Sequence, residues 1–305
     1  MQVASRFVRC HTPPSMKSVL AMLAAAVLWS TGGLFIKIIA LDAMSLSTWR
    51  SLVAAVTMLV LAELRGQRMR VPRTKMAWLA ASLYAATLLS FVFATKMTTA
   101  ANAIFLQYTA PIYVLILEPF LMKTRFRPRD IVYVGIALGG MALFFVGKLE
   151  AGGMAGNVMA LASGVFFAGL MITMRLQHGD VAARWQAVTF GNLVLAAGVG
   201  LYLLVTPATL GMPANWSEVG GVLFLGIVQI GIAYALFAYA IAKLGALEST
   251  LIGMIEPVLN PVWVFLGTGE QPAAWAFLGA ALIVGAVVAR SVIEKPPEPE
   301  PSLHP

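Results

Sequence analysis

The residues best suited to chemistry lie together in the stretch GMIEPVLNPVW, inside the apolar run 246–267. Within it Glu256, Asn260 and Trp263 follow at i, i+4 and i+7, so a helix places all three on one face. A carboxylate, an amide and an indole on one stripe can hold an amine or a quaternary ammonium through charge and cation–π attraction. Burial favours the protonated form of a carboxyl group, so Glu256 is also a candidate for proton coupling.

The position of Glu256 near the middle of a predicted membrane span limits the environments that its side chain can occupy. A charged side chain at the centre of a bilayer costs roughly 2.5–3.5 kcal/mol on insertion scales. Glu256 lies ten residues into its apolar run and cannot reach the surface. It is expected to face the protein interior or a water-filled cavity. The alternative is structural: Glu256 bonds a neighbouring helix, and Trp263 marks the outer membrane interface.

Prolines in two apolar runs indicate broken helices. A proline removes one backbone donor and leaves the carbonyl four residues earlier without its partner. Pro257 does this to Gly253, and Pro111 does it to Gln107. Irregular backbone at membrane depth belongs where it lines a cavity or is covered by protein. We expect both breaks to line a binding site, although helix packing alone would also account for them.

Further polar residues in the apolar runs are candidates for the same cavity, although each alone more often joins helices than contacts a ligand. These candidates are Asn102, Gln107, Tyr108, Trp29, Thr31 and Gln229. Glu118 is a second candidate for proton coupling or for an inner gate; alternatively it pairs with Lys123 or Arg125. Lys37 and Arg50 flank the first outer loop and suit a carboxylate substrate, but both lie near enough to the surface to be solvated.

The composition indicates a polytopic membrane protein. Of the 305 residues 60% are apolar and 11% are charged, whereas soluble chains carry about 25% charged residues. The net charge of +8 comes from short clusters between apolar runs, so we expect no nucleic-acid partner. With one cysteine and no histidine inside the apolar runs, we predict no metal site and no cofactor. The motifs HExxH, GxSxG and GxxxxGK[ST] are absent, which argues against an enzyme and against drive by ATP.

The apolar runs predict an all-α membrane protein with ten transmembrane helices, since about 20 residues span the hydrocarbon core. The predicted spans are 18–39, 45–64, 76–95, 99–122, 131–147, 155–174, 185–205, 218–241, 246–267 and 272–290. With both termini in the cytoplasm, 17 of the 21 basic residues fall on the inner side. A multi-pass protein of a bacterial inner membrane fits this asymmetry.

The two halves of the chain look alike. Span four, TTAANAIFLQYTAPIYVLILEP, resembles span nine, ALESTLIGMIEPVLNPVW, and Pro111 pairs with Pro257. Five spans per half is an odd number, so the second half is expected upside down relative to the first. We therefore predict an N-terminal extension at 1–16, five-helix repeats at 17–148 and 155–292, and a disordered tail at 293–305. Inverted repeats commonly support alternating access.

The chain resembles the drug/metabolite transporter superfamily, in its EamA-domain branch, over nearly all of residues 17–292. The resemblance rests on Trp29 in AAVLWSTGGLFIK, Arg50 opening span two, LQYTAPIYVLILEP, IEPVLNPVWVFLGTGE and FLGAALIVG. Two positions depart from the pattern: Thr124 stands where the second half has Glu270, and Phe166-Phe167 stands where the first half has Trp29. The resemblance implies a central cavity and small organic substrates, often exported amino acids or metabolites.

These features favour a secondary transporter that moves a small organic metabolite, such as an amino acid, by alternating access and with possible proton coupling. Export is the expected direction. The alternative is an importer of an organic cation such as choline, held by the carboxylate and aromatic rings. A channel or sensor is a more distant alternative. The pattern GIALG at 135–139, with Ala281 and Gly285 in span ten, indicates a packing pair or a homodimer surface.

Overall fold

A computed structural model describes residues 16–67, 69–122, 127–144, 146, 153–177, 180–268 and 274–293. These residues form helices without any strand. The helices are α1 Met16–Ser30, α2 Gly32–Ile38, α3 Ala43–Leu64, α4 Lys75–Met97, α5 Ala100–Gln107, α6 Ala110–Met122, α7 Pro128–Phe144, α8 Met154–Leu176, α9 Val181–Val205, α10 Trp216–Phe224, α11 Ala233–Ala240, α12 Ala246–Gly253, α13 Ile255–Thr268 and α14 Ala274–Ile293, with a π-helical segment at Leu225–Ile232. The predicted extension and tail lie almost wholly outside the described residues.

Seven helical stretches in these ranges are long and apolar enough to cross a membrane. They are Met16–Ile38, Ala43–Leu64, Lys75–Met97, Asn102–Met122, Met154–Leu176, Val181–Val205 and Trp216–Ala240. The other three predicted spans correspond to α7 with 17 residues, to the broken pair α12 and α13, and to α14, whose apolar part is Phe277–Arg290. The chain is therefore a multi-pass helical protein, and the full count of ten spans stays a prediction.

Several helices begin at a side chain that accepts backbone N–H groups. Asp42 accepts from Met44 N at 2.9 Å and from Ser45 N at 3.0 Å, which starts α3. Thr74, Thr99, Asp180 and Asn215 start α4, α5, α9 and α10 in the same way. Because the first N–H groups of a helix have no intrahelical partner, these residues fix where each helix emerges.

The helix contacts come in matched pairs. Helix α4 packs on α8, and α1 packs on α11; α4 packs on α9, and α3 packs on the π-helical segment. Both α5 and α6 contact α8, whereas both α12 and α13 contact α1. Helix α3 packs on α9, and α7 packs on α14. The counterparts are α1 and α8, α3 and α9, α4 and the π-helical segment with α11, α5–α6 and α12–α13, and α7 and α14. Exchanging counterparts turns α4–α8 into α11–α1, whereas α3–α9 and α7–α14 each turn into themselves.

The predicted packing of spans five and ten occurs, but at a different glycine. A Cβ at Gly140 would lie 2.7 Å from the Gly279 carbonyl oxygen, so the backbones of α7 and α14 approach there. A Cβ at Gly135, Gly139 or Gly285 would meet nothing within 4 Å. The GIALG pattern therefore lies on the outer face of α7, since Gly140 is rotated by one residue from Gly139. The homodimer stays a prediction.

The central spans of each half are broken where prolines predicted it. Helix α5 ends at Gln107 and α6 begins at Ala110, directly before Pro111. Helix α12 ends at Gly253 and α13 begins at Ile255, two residues before Pro257. Both breaks face the same cavity in the middle of the helix bundle.

Candidate functional site

A cavity lies at the two helix breaks. The lining residues come from seven of the ten predicted spans, four in the first half and three in the second. They are Trp29, Arg50, Thr87, Leu88, Phe91, Gln107, Tyr108, Phe167, Gln229, Tyr234 and Glu256. An apolar and aromatic wall thus carries a few polar groups, as in binding sites for small organic molecules.

Glu256 is buried, with 8% of its surface exposed, and it contacts a residue of the opposite half. Its Oε2 atom lies 2.5 Å from the Tyr108 hydroxyl, which also lies 2.8 Å from the Gly253 carbonyl oxygen. That carbonyl is the one that Pro257 leaves without a backbone donor. Tyr108, from the break in the first half, therefore bonds the freed carbonyl and the carboxyl group at the break in the second half.

The number of protons available at the contact of Tyr108 with Gly253 and Glu256 depends on the protonation of Glu256. A phenol carries one proton, and a carbonyl oxygen is only an acceptor. If Tyr108 donates to Gly253, the second contact is a hydrogen bond only when Glu256 is protonated and donates to the phenol oxygen. If Glu256 is ionised, its charge-assisted bond from Tyr108 is the stronger one, and the Gly253 carbonyl loses its donor. The protonation of Glu256 is thus linked to the broken turn between α12 and α13.

The break in the first half is held by α8. Gln107 donates from Nε2 to Ser163 Oγ at 2.7 Å, and Ser163 donates to the Thr87 carbonyl at 3.0 Å. A Cβ at Gly164 would lie only 2.8 Å from the Gln107 carbonyl oxygen, the one that Pro111 frees. Only a glycine lets the broken turn approach α8 this closely.

Aromatic rings close one side of the cavity. The ring of Trp29 lies 4.9 Å from that of Tyr234 and 6.1 Å from that of Phe167, in an edge-to-face arrangement in the second case. Trp29 and Phe167 stand at the positions that the resemblance had matched between the two halves. Tyr84 packs edge-on against Tyr234 at 4.7 Å. These rings can contact the apolar part of a solute or a cation.

Arg50 is the permanent positive charge of the cavity. Only 1% of its surface is exposed, so the prediction that it is solvated is wrong. Its Nη2 atom donates to the Leu88 carbonyl at 3.3 Å, and its Nε atom has no partner. The error arose because Arg50 lies near the start of α3, whereas α10 and the π-helical segment cover that end of the helix.

The π-helical segment brings Gln229 into the cavity. Gly226 and Gly231 of this segment approach α3 so closely that a Cβ would meet Val53 at 2.5 Å and Thr57 at 2.6 Å. Gln229 Oε1 and Trp29 Nε1 are both buried, and neither has a hydrogen-bond partner in the ranges that the structure describes. π-Helical segments occur frequently at functional sites.

Four predicted residues lie elsewhere or are only partly described. Trp263 donates from Nε1 to Ser30 Oγ at 2.7 Å, which joins α13 to α1. Thr31 donates to the Leu28 carbonyl at 2.7 Å within its own helix turn. Asn102 donates to Thr98 Oγ1 and Asn157 Oδ1, both at 3.1 Å, in the first turn of α5. Asn260 belongs to α13, but its side chain lies outside the described structure.

Glu118 lies apart from the cavity, at the predicted inner side. It accepts the backbone N–H groups of Ala246 at 3.4 Å and Leu247 at 3.2 Å, so it caps α12 from the opposite half. Arg175 nearby donates to the Ala242 carbonyl at 3.0 Å. Lys123 and Arg125, the partners considered for Glu118, lie outside the described residues.

Two lysines join spans one and three at the predicted outer side. Lys37 donates to the Thr98 carbonyl at 2.8 Å, and Lys96 donates to the Ile39 carbonyl at 2.7 Å. Each lysine thus bonds a carbonyl at the C-terminal end of the other helix, where a positive charge is favourable. Lys37 does not line the cavity, in contrast to Arg50.

Some of the site residues predicted from the sequence line the cavity, and others lie elsewhere. The structure brings Glu256, Gln107, Tyr108, Trp29 and Gln229 together around one cavity. The sequence analysis missed several lining residues, namely Thr87, Leu88, Phe91, Phe167 and Tyr234, and it had considered Arg50 for a carboxylate substrate only at the solvated surface. The glycine spacing around Gln229, GIVQIG, was the one available signal for the π-helical turn beside Arg50. In the described ranges no cluster of His, Cys, Asp and Glu could hold a metal ion.

Comparison with known proteins places these features in a family. The model of the EamA-like transporter family matches residues 16–146 and again residues 154–291. An uncharacterized transporter of Archaeoglobus fulgidus is 24% identical over 89% of this chain and 96% of its own length. A protein of Pseudomonas aeruginosa is 28% identical over 91% of this chain and 96% of its own length. A protein of known crystal structure has the same fold, with a TM-score of 0.76 at 20% identity over 90% of this chain and 96% of its own.

Proposed function

The chain belongs to the EamA-like transporter family, and we propose that it is a secondary carrier that exports a small organic metabolite, an amino acid or a related solute, by alternating access. Its membership and the transporter names of its relatives make it a membrane transporter. The observation that carries the finer proposal is the cavity at both helix breaks, with the buried carboxyl group of Glu256 in its wall. Substrate sites in such carriers lie near the midplane at broken helices.

The proposed architecture is ten spans in two inverted repeats, in a bacterial inner membrane, with both termini in the cytoplasm. Two observations support the repeats: the family model matches each half separately, and the helix contacts exchange in pairs. The excess of basic residues in the predicted inner segments supports the orientation.

The proposed gates are the contacts between helices on either side of the cavity. On the inner side Glu118 of α6 holds the first turn of α12, which joins the two halves. On the outer side Thr98 and Asn102 bond Asn157 of α8 in the other half. Opening the cavity to one side requires these contacts to separate there and to stay closed on the other side.

The proposed coupling ion is the proton, with Glu256 as its carrier. Tyr108 and the Gly253 carbonyl give the protonated and ionised forms of Glu256 different hydrogen bonds at a broken helix. A ligand that binds two conformations differently shifts the equilibrium between them. Proton binding at Glu256 would favour one packing of α12 and α13 over the other.

The experiment is transport in proteoliposomes under an imposed pH gradient. Glu256→Gln removes the titrating group and keeps an acceptor for Tyr108, so we expect pH-gradient-driven flux to fall to the level of empty liposomes. Glu63→Gln, on the exposed surface of α3, is the matched control and should retain wild-type flux. Wild-type pH dependence in the Glu256 variant would remove this residue from the mechanism. Solute flux far beyond carrier turnover would favour a channel instead.

A further inference from the structure

We infer that the transported solute carries a carboxylate and that Arg50 is the residue that binds it. The inference rests on the proposed function, because it names the substrate class of the same cavity. It also makes Arg50 a specificity-determining residue, whereas the sequence had placed it in solvent.

Among the described residues, no ion pair to Arg50 is found. The guanidinium has five N–H donors, yet within this part of the chain it makes one hydrogen bond, of 3.3 Å, to the Leu88 carbonyl. No carboxylate in the described ranges lies within ion-pair distance of Arg50. The ionisable groups close to it are the phenols of Tyr84 and Tyr234, which are neutral near pH 7. A buried charge without a partner is strongly unfavourable, so a bound anion stabilises this site.

A second buried arginine shows what a purely structural role looks like in this fold. Arg184, also 1% exposed, donates from Nε to the Ala238 carbonyl at 3.1 Å and from Nη1 to the Gln177 carbonyl at 2.8 Å. Its guanidinium thereby fastens two helix ends and lines no part of the cavity. Arg50 lines the cavity and keeps its Nε–H unpaired. The contrast indicates that Arg50 is kept for a ligand.

The other unpaired atoms of the cavity fit a solute with groups of both charges. Trp29 Nε1 is a donor without a partner, which suits a carboxylate oxygen, and Gln229 Oε1 is an acceptor without a partner, which suits an ammonium. Glu256 supplies the negative charge in its ionised form. A zwitterionic amino acid then gives Arg50 and Glu256 each a group of opposite charge. Choline brings a positive charge and no anion to pair with Arg50.

The first test compares ligands that differ in the carboxylate alone. Purified protein is titrated with L-amino acids of graded size, with the amide of each, and with choline, and the shift of the unfolding midpoint gives each affinity. We expect at least one amino acid to bind and its amide and choline to bind about 30-fold more weakly or worse, as when one partner of a buried charge pair is lost. Amide binding within threefold of the acid, stronger binding of choline, or no binding by any amino acid overturns the inference.

The second test assigns the carboxylate to Arg50. Arg50→Lys keeps the charge and loses the planar fork, so we expect the KM for the amino acid to rise about 10-fold while binding of its amide stays unchanged. Arg184→Lys is the control for loss of a buried arginine and should leave the ratio of acid to amide affinity at the wild-type value. An equal loss for acid and amide contradicts the assignment. If the Arg50 variant does not fold, the wild-type ligand series still decides the substrate class.

The two tests separate this inference from the proposed function. Transport of an amide or of choline that depends on pH and on Glu256 would keep the carrier and refute the carboxylate. Tight amino-acid binding without any flux in proteoliposomes would keep the anion site and refute the carrier.

Discussion

Replacing Tyr108 with phenylalanine removes one oxygen from the cavity and keeps the ring. The lost hydroxyl contacts the Gly253 carbonyl at 2.8 Å and Glu256 Oε2 at 2.5 Å. Tyr108 is 2% exposed and Glu256 is 8% exposed, so water has little access to replace the lost donor. The freed carbonyl at the break between α12 and α13 would then have no donor, and Glu256 would lose a bond to its carboxyl group.

The size of the effect follows from these contacts. Leaving a buried acceptor unsatisfied costs about 1–3 kcal/mol, and more when the acceptor is charged. A loss of 1–3 kcal/mol is a factor of roughly 5–150 in an equilibrium constant. On the scale of larger domains each kcal/mol lowers the unfolding midpoint by about 2–4 °C. We therefore expect Tyr108→Phe to unfold several degrees below the wild type and to lose most pH-gradient-driven flux.

The assay is the thermal unfolding of purified protein together with flux in proteoliposomes. Tyr113→Phe is the matched control, because the Tyr113 hydroxyl has one weak contact within the described residues, at 3.4 Å from Thr109 Oγ1 four residues earlier. It should change the midpoint by less than about 1 °C and leave the flux unaltered. Equal midpoints and equal fluxes for both variants would refute the role given to the bond between the two breaks.

Three further predictions concern the elements around the cavity. Gly164→Ala brings a Cβ within 2.8 Å of the Gln107 carbonyl oxygen, so we expect a loss of about 1–3 kcal/mol in thermal unfolding, whereas Gly139→Ala, in open space, should stabilise by up to about 1 kcal/mol. Equal effects of the two would contradict the close approach. Glu118→Ala removes the acceptor for the first turn of α12 and should reduce transport more than Glu118→Gln, which keeps an oxygen; equal activities would exclude a gating role. Asp42→Ala removes the N-cap of α3 and should lower stability by about 0.5–2 kcal/mol, checked by the unfolding midpoint, while an unchanged midpoint would show the cap to be dispensable.

The parts of the fold that follow from local chemistry were predictable from the sequence. Pro111 and Pro257 break their helices because a proline lacks the N–H group that its turn requires, whatever surrounds it. Seven spans followed from length and apolar composition alone. The depth of Glu256 likewise predicted that its carboxyl group faces the protein interior or a cavity, and the structure buries it in a cavity wall.

The parts that depend on packing between distant segments were not predictable. Arg50 looked solvated because position along one helix does not show which other helices cover it. Trp263 shares a helical face with Glu256 in the sequence pattern, yet its indole bonds Ser30 rather than the cavity. The π-helical segment that turns Gln229 inward depends on Gly226 and Gly231 meeting α3, and the glycine spacing alone does not indicate which helix these glycines meet.

The most direct test of the central claim asks whether the cavity opens to both sides of the membrane. With Cys10 replaced by serine, a cysteine at Thr87, buried in the cavity wall, is treated with a membrane-impermeant maleimide in right-side-out and inside-out vesicles. We predict labelling from both sides, and none of a control cysteine at Ala137, which is buried on α7 and does not line the cavity. Labelling of the Thr87 position from one side alone, or from neither, would contradict alternating access through this cavity.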